Sequence, residues 1–597
     1  MGTHANSPAR LGDFSADTRI LLLTVMAALV GAVSALVAYA LVWLISAITN
    51  LAYYQRLSAE PVSPAHHHLG ALAVIVPMLG GLVIGLMARY GSEKIRGHGI
   101  PEAMEAILIG RSRMSAKVAV LKPVASAISI GTGGPFGAEG PIIMTGGAFG
   151  SLFAQAFELS AAERKTLLVA GAAAGMAAIF SAPLAAVLLA VELLLFEWKP
   201  RSFIPVVAAA AVAAGLRVPL LGPGPIFPTV NHPALSWQEL LCCLGIGLTA
   251  GVGSGLLTWM VYAAEDAFAK LPFHYMWWPV IGGLVVGLGG LIYPRALGVG
   301  YDTIGDLLAG HLTGPFLLGL MVTKAIIWAV ALGSGTSGGV LAPLLIMGGA
   351  LGSLEAGWLH VGDSGLWAMI GMAAMMGGTM RSPLTAVAFM LELTDDIHVL
   401  PGLLIACAVA HTFTVLVMKR SILTEKVARR GHHVMREYIV NPLARVRVGD
   451  VMERDAPTLP PDQKLDVILR RLAAHDQVLG RRYAWPLVDS SGKLKGIVTR
   501  GDLVRALESE SNEDMTLLKA GTSQLVVAHP DEMLDVAVDR MVRHNIGRLP
   551  VVDRADPARL LGYLGRTGIA TGWRQVFEEE RVREEGWLTL RRNRQRA

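Results

Sequence analysis

At 597 residues, 53% apolar and only 16% charged, the chain is too apolar for an ordinary soluble enzyme and suits a protein that crosses a membrane repeatedly. Its 67 glycines agree, because glycine lets spanning helices approach closely. A formal net charge of +5 is small for this length and argues against a nucleic-acid partner. The three cysteines, Cys242, Cys243 and Cys407, sit in apolar runs without CxxC spacing, which speaks against a disulfide framework or a zinc site.

Residues 1–19 are polar. The apolar run that follows, about 20–48, is too long for a signal-peptide core and reads as a first membrane helix. Further apolar segments lie at 69–88, 164–198, 203–216, 237–263, 275–293, 315–332, 340–358, 364–396 and 401–418. Several are broken by Gly or Pro. Lipid tolerates such breaks only where protein or a water-filled cavity surrounds them, and broken helices near the midplane are how transporters build ion sites. The histidines at 66–68 and 432–433 read as exposed loop residues in preference to metal ligands.

A Pro- and Gly-rich loop at 217–233 divides the region into halves, about 20–216 and 237–418, and the halves repeat. Gly137-Ala138-Glu139-Gly140-Pro141, continuing to Gly150-Ser151-Leu152, matches Gly339-Val340-Leu341-Ala342-Pro343, continuing to Gly352-Ser353-Leu354, at a shift of 202 (339 minus 137). Pro183-Leu184, leading to Glu192-Leu193, matches Pro383-Leu384, leading to Glu392-Leu393, at a shift of 200 (383 minus 183). Two matched blocks in order mark an internal duplication, which places a site at the interface between the repeats. Identities alone leave open whether the second repeat is inverted.

From about Arg436 charged residues become frequent and long apolar runs stop. After a linker at 432–446, a βαββα unit is expected twice, over 447–508 and 517–573, followed by a charged tail at 574–597. In the first copy Val448–Met452 leads through a helix near 464–474 to strands at 484–489 and 496–499. In the second, a helix near 532–544 leads to strands at 547–553 and 561–564.

Three glycine-rich motifs open apolar helices: Gly97-His98-Gly99-Ile100-Pro101, Gly137-Ala138-Glu139-Gly140-Pro141 and Gly339-Val340-Leu341-Ala342-Pro343. A helix N-terminus carries unpaired N–H groups and partial positive charge, proline fits its first turn, and glycine lets the backbone close on a ligand. Several such ends converging would hold an anion without a full opposite charge, and so without holding it too tightly for rapid turnover. No nucleophile–base constellation accompanies them in the membrane region, so no enzymatic activity is expected.

These motifs, in this order and spacing, resemble those of the CLC family of chloride channels and chloride/proton exchangers over about 20–431, and the tail resembles the paired CBS domains that many members carry. The resemblance implies an all-α polytopic membrane fold with an inverted repeat, followed by α/β tandem CBS domains. It also implies a homodimer with a separate pore in each subunit, cytoplasmic termini, and chloride as the bound ion with no cofactor required. Short loops and the lack of targeting signals point to a prokaryotic cell membrane. Carried over by position, Glu139 matches the family's gating glutamate, which competes with the anion when ionised and swings away when protonated. The anion site would be formed by His98, Gly99, Ile100, Gly137, Glu139, Gly140, Val340, Leu341 and Leu423.

Several positions depart from the family pattern. His98 stands where most members have Ser, and two readings stay open: the ring donates to the ion, or it turns aside and only the backbone serves. Leu423 takes the place of the family's central tyrosine, Ala138 that of a basic residue beside the gate, and Leu341 that of a Phe. Leu193 falls where exchangers carry an inner proton-relaying glutamate, with Glu192 one residue early and about 100° around the helix. Glu192, and Glu392 in the second repeat, are expected to support packing. These departures favour a channel, with a chloride/proton antiporter and a membrane sensor as alternatives. In the tail, Gly496-Ile497-Val498-Thr499-Arg500-Gly501-Asp502 matches the adenosine-nucleotide motif of CBS domains, with Thr499 and Asp502 as ligands for ATP or AMP. The second copy, at Gly562–Gly568, lacks both the hydroxyl and the acid at those positions, so one nucleotide site at most is expected.

Overall fold

The computed structural model describes residues 18–431 except 313, and 446–581 except 478, 480, 481 and 509–514, together with 443, 583 and 584. The chain divides into two compact units, residues 1–438 with 583–597 and residues 439–582. Most of the expected linker, the 432–433 histidines, and most of the polar N-terminal segment and charged tail lie outside the described residues.

The first unit is built of helices. Its first half holds α1 (Arg19–Tyr54), α2 (Ile75–Tyr90), α3 (Ile100–Leu108), α4 (Ala116–Gly131), α5 (Glu139–Gln155), α6 (Ala161–Phe180), α7 (Pro183–Leu189) and α8 (Pro200–Leu221). The second half repeats the order with α9 (Trp237–Ala269), α10 (Trp278–Ile292), α11 (Tyr301–Leu308), α12 (Pro315–Gly333), α13 (Leu341–Leu359), α14 (Ser364–Met380), α15 (Pro383–Thr394) and α16 (Leu400–Val417). A short α17 (Ile422–Arg429) follows. Eight helical stretches among the described residues are long and apolar enough to cross a membrane. On α1 the exposed side carries the large apolar residues Leu22, Val25, Leu29 and Leu36, as a helix against lipid would, while Leu23, Ala27, Val30, Ala35 and Ala38 are buried.

Several expected segments differ. The runs at 164–198 and 364–396 are each two helices, broken where Ser181 (φ 56°) and Arg381 (φ 55°) turn left-handed. The next residues, Ala182 and Ser382, precede prolines that push them out of the helical region. The loop expected from 217 begins later, because α8 continues through Pro219 to Leu221. Helices α3, α4, α5 and α11 fell outside the apolar runs; the glycines and polar residues at their starts hide them from a hydropathy reading.

Close contacts between equivalent helices show that the repeat is inverted. Gly81 on α2 backs onto Pro279 and Gly85 onto Met276, while Gly283 on α10 backs onto Pro77 and Gly287 onto Val74, so the pair runs antiparallel about a local dyad. Helices α7 and α15 are antiparallel too. Glu192, in the π-helical turn Ala190–Leu195 that extends α7, accepts the N–H groups of Leu384 (3.2 Å) and Thr385 (2.9 Å) at the start of α15. Glu392, near the end of α15, accepts those of Leu184 and Ala185 (both 2.8 Å) at the start of α7. Each glutamate caps the other repeat's helix, at the turn where Pro183 or Pro383 removes an N–H that would otherwise need a partner.

The second unit contains two α/β hairpin modules. α18 (Val448–Val451) leads to α19 (Leu465–Ala473), then to strands β1 (Ala484–Val488) and β2 (Leu494–Thr499) and to α20 (Arg500–Leu507). α21 (Leu517–Ala520), α22 (Leu534–Arg543), β3 (Leu549–Val552), β4 (Leu560–Leu564) and α23 (Arg566–Arg581) repeat that order. The stretch expected as a leading strand at Val448–Met452 is a helical turn. The first strand of each module survives only as a single parallel bridge, Leu459 with Leu487 and Ala528 with Val551. The leading turns are exchanged: Val448 and Val451 pack in the second module's core with Leu534 and Leu549, whereas Leu517 packs in the first module's core with Ile468 and Trp485. That exchange overrides the strand preference of the valines.

Replacing either capping glutamate leaves two amides at a helix start without their partner. Glu392→Ala is expected to cost about 1–2 kcal/mol and to lower the melting temperature of the solubilised protein, measured by thermal unfolding, while Glu392→Gln recovers part of the loss.

Candidate functional site

The starts of α3, α5 and α13 meet through glycines. Gly97 forms a parallel bridge with Ser337, and Gly137 an antiparallel one with Gly339, whose N–H donates to Gly137 O at 2.8 Å. A Cβ on Gly99 would lie 2.8 Å from Gly140 O, and one on Gly140 would overlap the His98 carbonyl and lie 3.3 Å from the Gly339 Cα. Gly99 has φ 91°, a left-handed turn that swings the chain into α3 and that an ordinary side chain would strain. His98, Ile100, Glu139, Val340 and Leu341 are all buried at this junction.

Glu139 is fully buried at the first position of α5. Its Oε1 accepts the N–H of Ala342 at 3.2 Å, and its Oε2 is buried without a hydrogen-bond partner. The carboxylate therefore lies across the first turn of α13, one residue beyond Val340 and Leu341. A carboxylate on a helix N-terminus occupies the place where these amides would otherwise receive an anion. Ala342 escaped the sequence reading because a backbone donor leaves no side-chain signature.

The other candidate residues are placed as follows. The N–H of Gly99 donates to Glu102 Oε2 at 3.0 Å, so Gly99 contributes its turn while its amide is engaged. Glu102 is in turn held by Arg430 (3.1 Å) and Lys426 (3.5 Å) at α17. The Nδ1 of His98 is buried without a hydrogen-bond partner, and the His98 carbonyl faces Gly140. Leu423 is buried on α17; beside it the Tyr262 hydroxyl donates to the carbonyl of Ile422. Leu193 is buried in the π-helical turn, and the neighbouring Glu192 is committed to α15, with Thr385 Oγ1 also donating to it at 2.6 Å.

The structure adds a fourth glycine motif. Gly298-Val299-Gly300-Tyr301-Asp302 opens α11 as Gly97-His98-Gly99-Ile100-Pro101 opens α3, at a shift of 201 (298 minus 97), and Gly300 has φ 78°. Behind each motif a buried lysine donates to two carbonyls of the turn, Lys122 in the first repeat and Lys324 in the second. The spacing of the paired glycines was the available signal; with so few identities it was too weak to stand out.

In the second unit Thr499 caps α20. Asp502 Oδ2 accepts the Thr499 N–H (2.8 Å) and hydroxyl (2.6 Å), and the Asp502 N–H donates back to Thr499 Oγ1 (3.2 Å). Asp502 Oδ1 pairs with the exposed Arg505. The two residues nominated for a nucleotide thus form a capping box with each other. Nearby, the Tyr483 ring lies under Arg500 (4.8 Å) and Arg548 (5.7 Å). Arg482 pairs with Glu453, whose carboxylate holds the guanidinium above its usual range. Burial pushes the Tyr563 phenol up to about 12, against the pull of Arg548 and Arg482.

A polytopic helical protein with an inverted repeat and helix ends converging on a buried glutamate is the architecture of an ion-transport protein. The family model described as "Voltage gated chloride channel" matches residues 80–415, and the CBS domain model matches 448–509 and 519–571. The chain belongs to the CLC family and carries a C-terminal pair of CBS domains. It is 32% identical over 381 residues to the voltage-gated ClC-type chloride channel ClcB of Salmonella typhimurium, covering 62% of this chain and 89% of that protein. It is 30% identical over 413 residues to the H(+)/Cl(-) exchange transporter ClcA of Salmonella arizonae, covering 66% of this chain and 85% of that protein. Its fold is similar to that of a slow cyanobacterial Cl-/H+ antiporter, with TM-score 0.62, 22% identity, and coverage of 70% of this chain and 99% of that one. It is also similar to that of a eukaryotic CLC transporter, with TM-score 0.61, 20% identity, and coverage of 92% and 98%.

A Cβ at position 140 overlaps the His98 carbonyl and crowds the Gly339 Cα, so Gly140→Ala requires a backbone shift where the motifs meet. The variant is expected to retain its helical content by circular dichroism and to lose at least about tenfold in chloride affinity by isothermal titration, since a 1.4 kcal/mol misfit already accounts for that factor.

Proposed function

We propose that this CLC chloride transporter passes chloride through a pore in each subunit of a homodimer, that Glu139 gates each pore, and that conduction is of the channel type. The observation that carries the reading is the Glu139 carboxylate lying across the start of α13, with one oxygen on the Ala342 N–H and the other buried without a partner. An ionised carboxylate there competes with chloride for the same partial charges. Protonation weakens its hold on those amides, and the anion can replace it. Val340, Leu341 and Ile100 would then serve the ion through the backbone, with selectivity set by helix dipoles in the absence of side-chain hydroxyls at 98 and 423.

The channel mode is supported by the inner side. Leu193 offers no titratable group, and the carboxylate of Glu192 is occupied by three donors of α15 and so is poorly placed to shuttle protons. The 30% identity to an H(+)/Cl(-) exchange transporter supports the second reading, a chloride/proton antiporter that draws protons by another route. For the tail we propose a cytoplasmic regulatory module that binds one adenine nucleotide through Thr499 and Asp502, in a prokaryotic cell membrane. The exposed arginine on Asp502 and the arginine-flanked Tyr483 supply charge and an aromatic face for such a ligand.

Liposomes carrying the purified protein, followed for chloride and pH together, decide between the modes. The expected result is chloride release that rises as pH falls, without proton uptake, and that loses its pH dependence in Glu139→Gln. Proton uptake locked to chloride release would establish exchange. Absence of chloride flux alongside tight nucleotide binding would favour a sensor.

Isothermal titration of ATP and AMP into the full chain tests the tail. Binding should be one nucleotide per chain and fall about tenfold or more in Asp502→Asn, a substitution that still allows a helix cap.

A further inference from the structure

The strap that joins the two repeats after α8 runs over the ends of helices from the second repeat. Its Phe227 N–H donates to the Leu393 carbonyl at 3.0 Å and its Thr229 N–H to the Thr394 carbonyl at 3.3 Å, both at the end of α15. The Phe227 ring is buried against Tyr301, which opens α11, with 5.8 Å between ring centroids, and Tyr301 in turn faces Phe180 at 6.5 Å. Beside Tyr301, a Cβ on Gly300 would lie 2.7 Å from Ile346 Cδ1 of α13. Ile346 sits one helical turn along α13 from Ala342, whose N–H holds Glu139 Oε1. The strap thus completes an aromatic cluster over the fourth glycine motif.

His232 fastens the end of this strap. Its Nδ1 lies 2.6 Å from Asp396 Oδ2, in the turn between α15 and α16, and its backbone N–H donates to the same oxygen at 2.9 Å. Its Nε2 lies 3.2 Å from Asp363 Oδ2, in the turn between α13 and α14. The Asp396 carboxylate is fully buried; its other oxygen accepts the His398 N–H at 3.1 Å, and the His398 ring lies 3.8 Å from it. Asp363 caps α14 with its other oxygen, which accepts the Leu366 N–H at 2.9 Å. These are the titratable groups around His232 among the described residues. Each ring nitrogen therefore meets a carboxylate oxygen, and an ionised carboxylate only accepts. A neutral imidazole has a single N–H and would set its lone pair against the second carboxylate, so the geometry is that of an imidazolium. Imidazole gains and loses this second proton near neutral pH.

We propose that His232 is a pH-sensitive clasp: protonated, it bridges Asp363 and Asp396 and holds the strap on the aromatic cluster, and loss of a proton releases the strap. Helix α16 begins beside the clasp and α17 follows its other end, so the clasp answers to pH on the side of the membrane away from α17. The device depends neither on Glu139 being the gate nor on a nucleotide in the tail.

Hydrogen exchange read by mass spectrometry on the full chain in nanodiscs tests the clasp. The readout is the protection of the strap amides in a peptide spanning 224–232, corrected for the intrinsic effect of pH on exchange. Protection is expected to fall about tenfold between about pH 6 and about pH 8, the scale of losing one hydrogen bond to a charged group. His232→Gln should show the low protection at both pH values, and His232→Arg, a cation throughout, the high one. Asp363→Asn still caps α14 and offers Nε2 a donor, so a neutral ring satisfies both neighbours and protection should stay high at both pH values. Equal protection of the wild type at the two pH values overturns the proposal, as does a pH dependence that persists in His232→Gln. Should His232→Gln fail to reach a folded state, Asp363→Asn decides: loss of the pH dependence supports the clasp, and its persistence counts against it.

Discussion

A helix that stops inside a membrane leaves its first amides with no water to bind, and this constraint organises the first unit. The inverted repeat meets it by making each half the partner of the other. Glu192 takes the leading amides of α15 and Glu392 those of α7, while Gly137 and Gly339 close their loops on each other. Such reciprocity is available only to antiparallel copies, because the acid near the end of one helix must reach the start of its mate. Once these ends are satisfied, two buried polar side-chain atoms at the junction of the glycine motifs have no partner among the described residues, Glu139 Oε2 and His98 Nδ1. The dyad thus concentrates unmet hydrogen-bonding capacity at this junction.

Much of this was legible in the sequence wherever close packing demands a particular residue. Gly140 cannot bear a side chain against the His98 carbonyl, so the glycine pattern of the motifs and of their repeat was readable. Other features left weaker traces. The breaks at Ser181 and Arg381 lie in runs that are apolar on both sides, and only the prolines two residues later mark them. The motif at Gly298–Asp302 keeps the glycines of its mate and little else, and a single lysine in an apolar run carries no spacing signal. In the second unit, Val448 and Val451 suggested a strand because β-branched residues favour one, but their place in the other module's core decided a helical turn.

The departures from the family pattern gain a physical meaning from the geometry. With Leu423 buried on α17 and Ala138 neutral, those two positions offer neither a hydroxyl nor a guanidinium. What the junction presents is backbone, with His98 and Glu139 as its polar side chains. Partial charges from several helix ends bind an anion shallowly and release it easily, which suits throughput. The likeness to solved CLC structures establishes the fold and leaves this chemistry to the residues of this chain.

The π-helical turn at Ala190–Leu195 is where the two repeats part company. From Glu192 to the left-handed residue that ends its helix, Phe196, the chain takes one residue more than from Glu392 to its counterpart, Asp395. An extra residue inside a helix is accommodated by widening one turn, and such bulges recur at functional sites. Here the widened turn carries both Leu193 and Glu192. Glu192 keeps the capping role that its mate Glu392 also performs, so the demands of the dyad fix where its carboxylate points. A residue bound in this way to the repeat architecture cannot also turn elsewhere without unsealing the start of α15. The extra residue therefore alters the neighbourhood of Leu193 while leaving the cap intact.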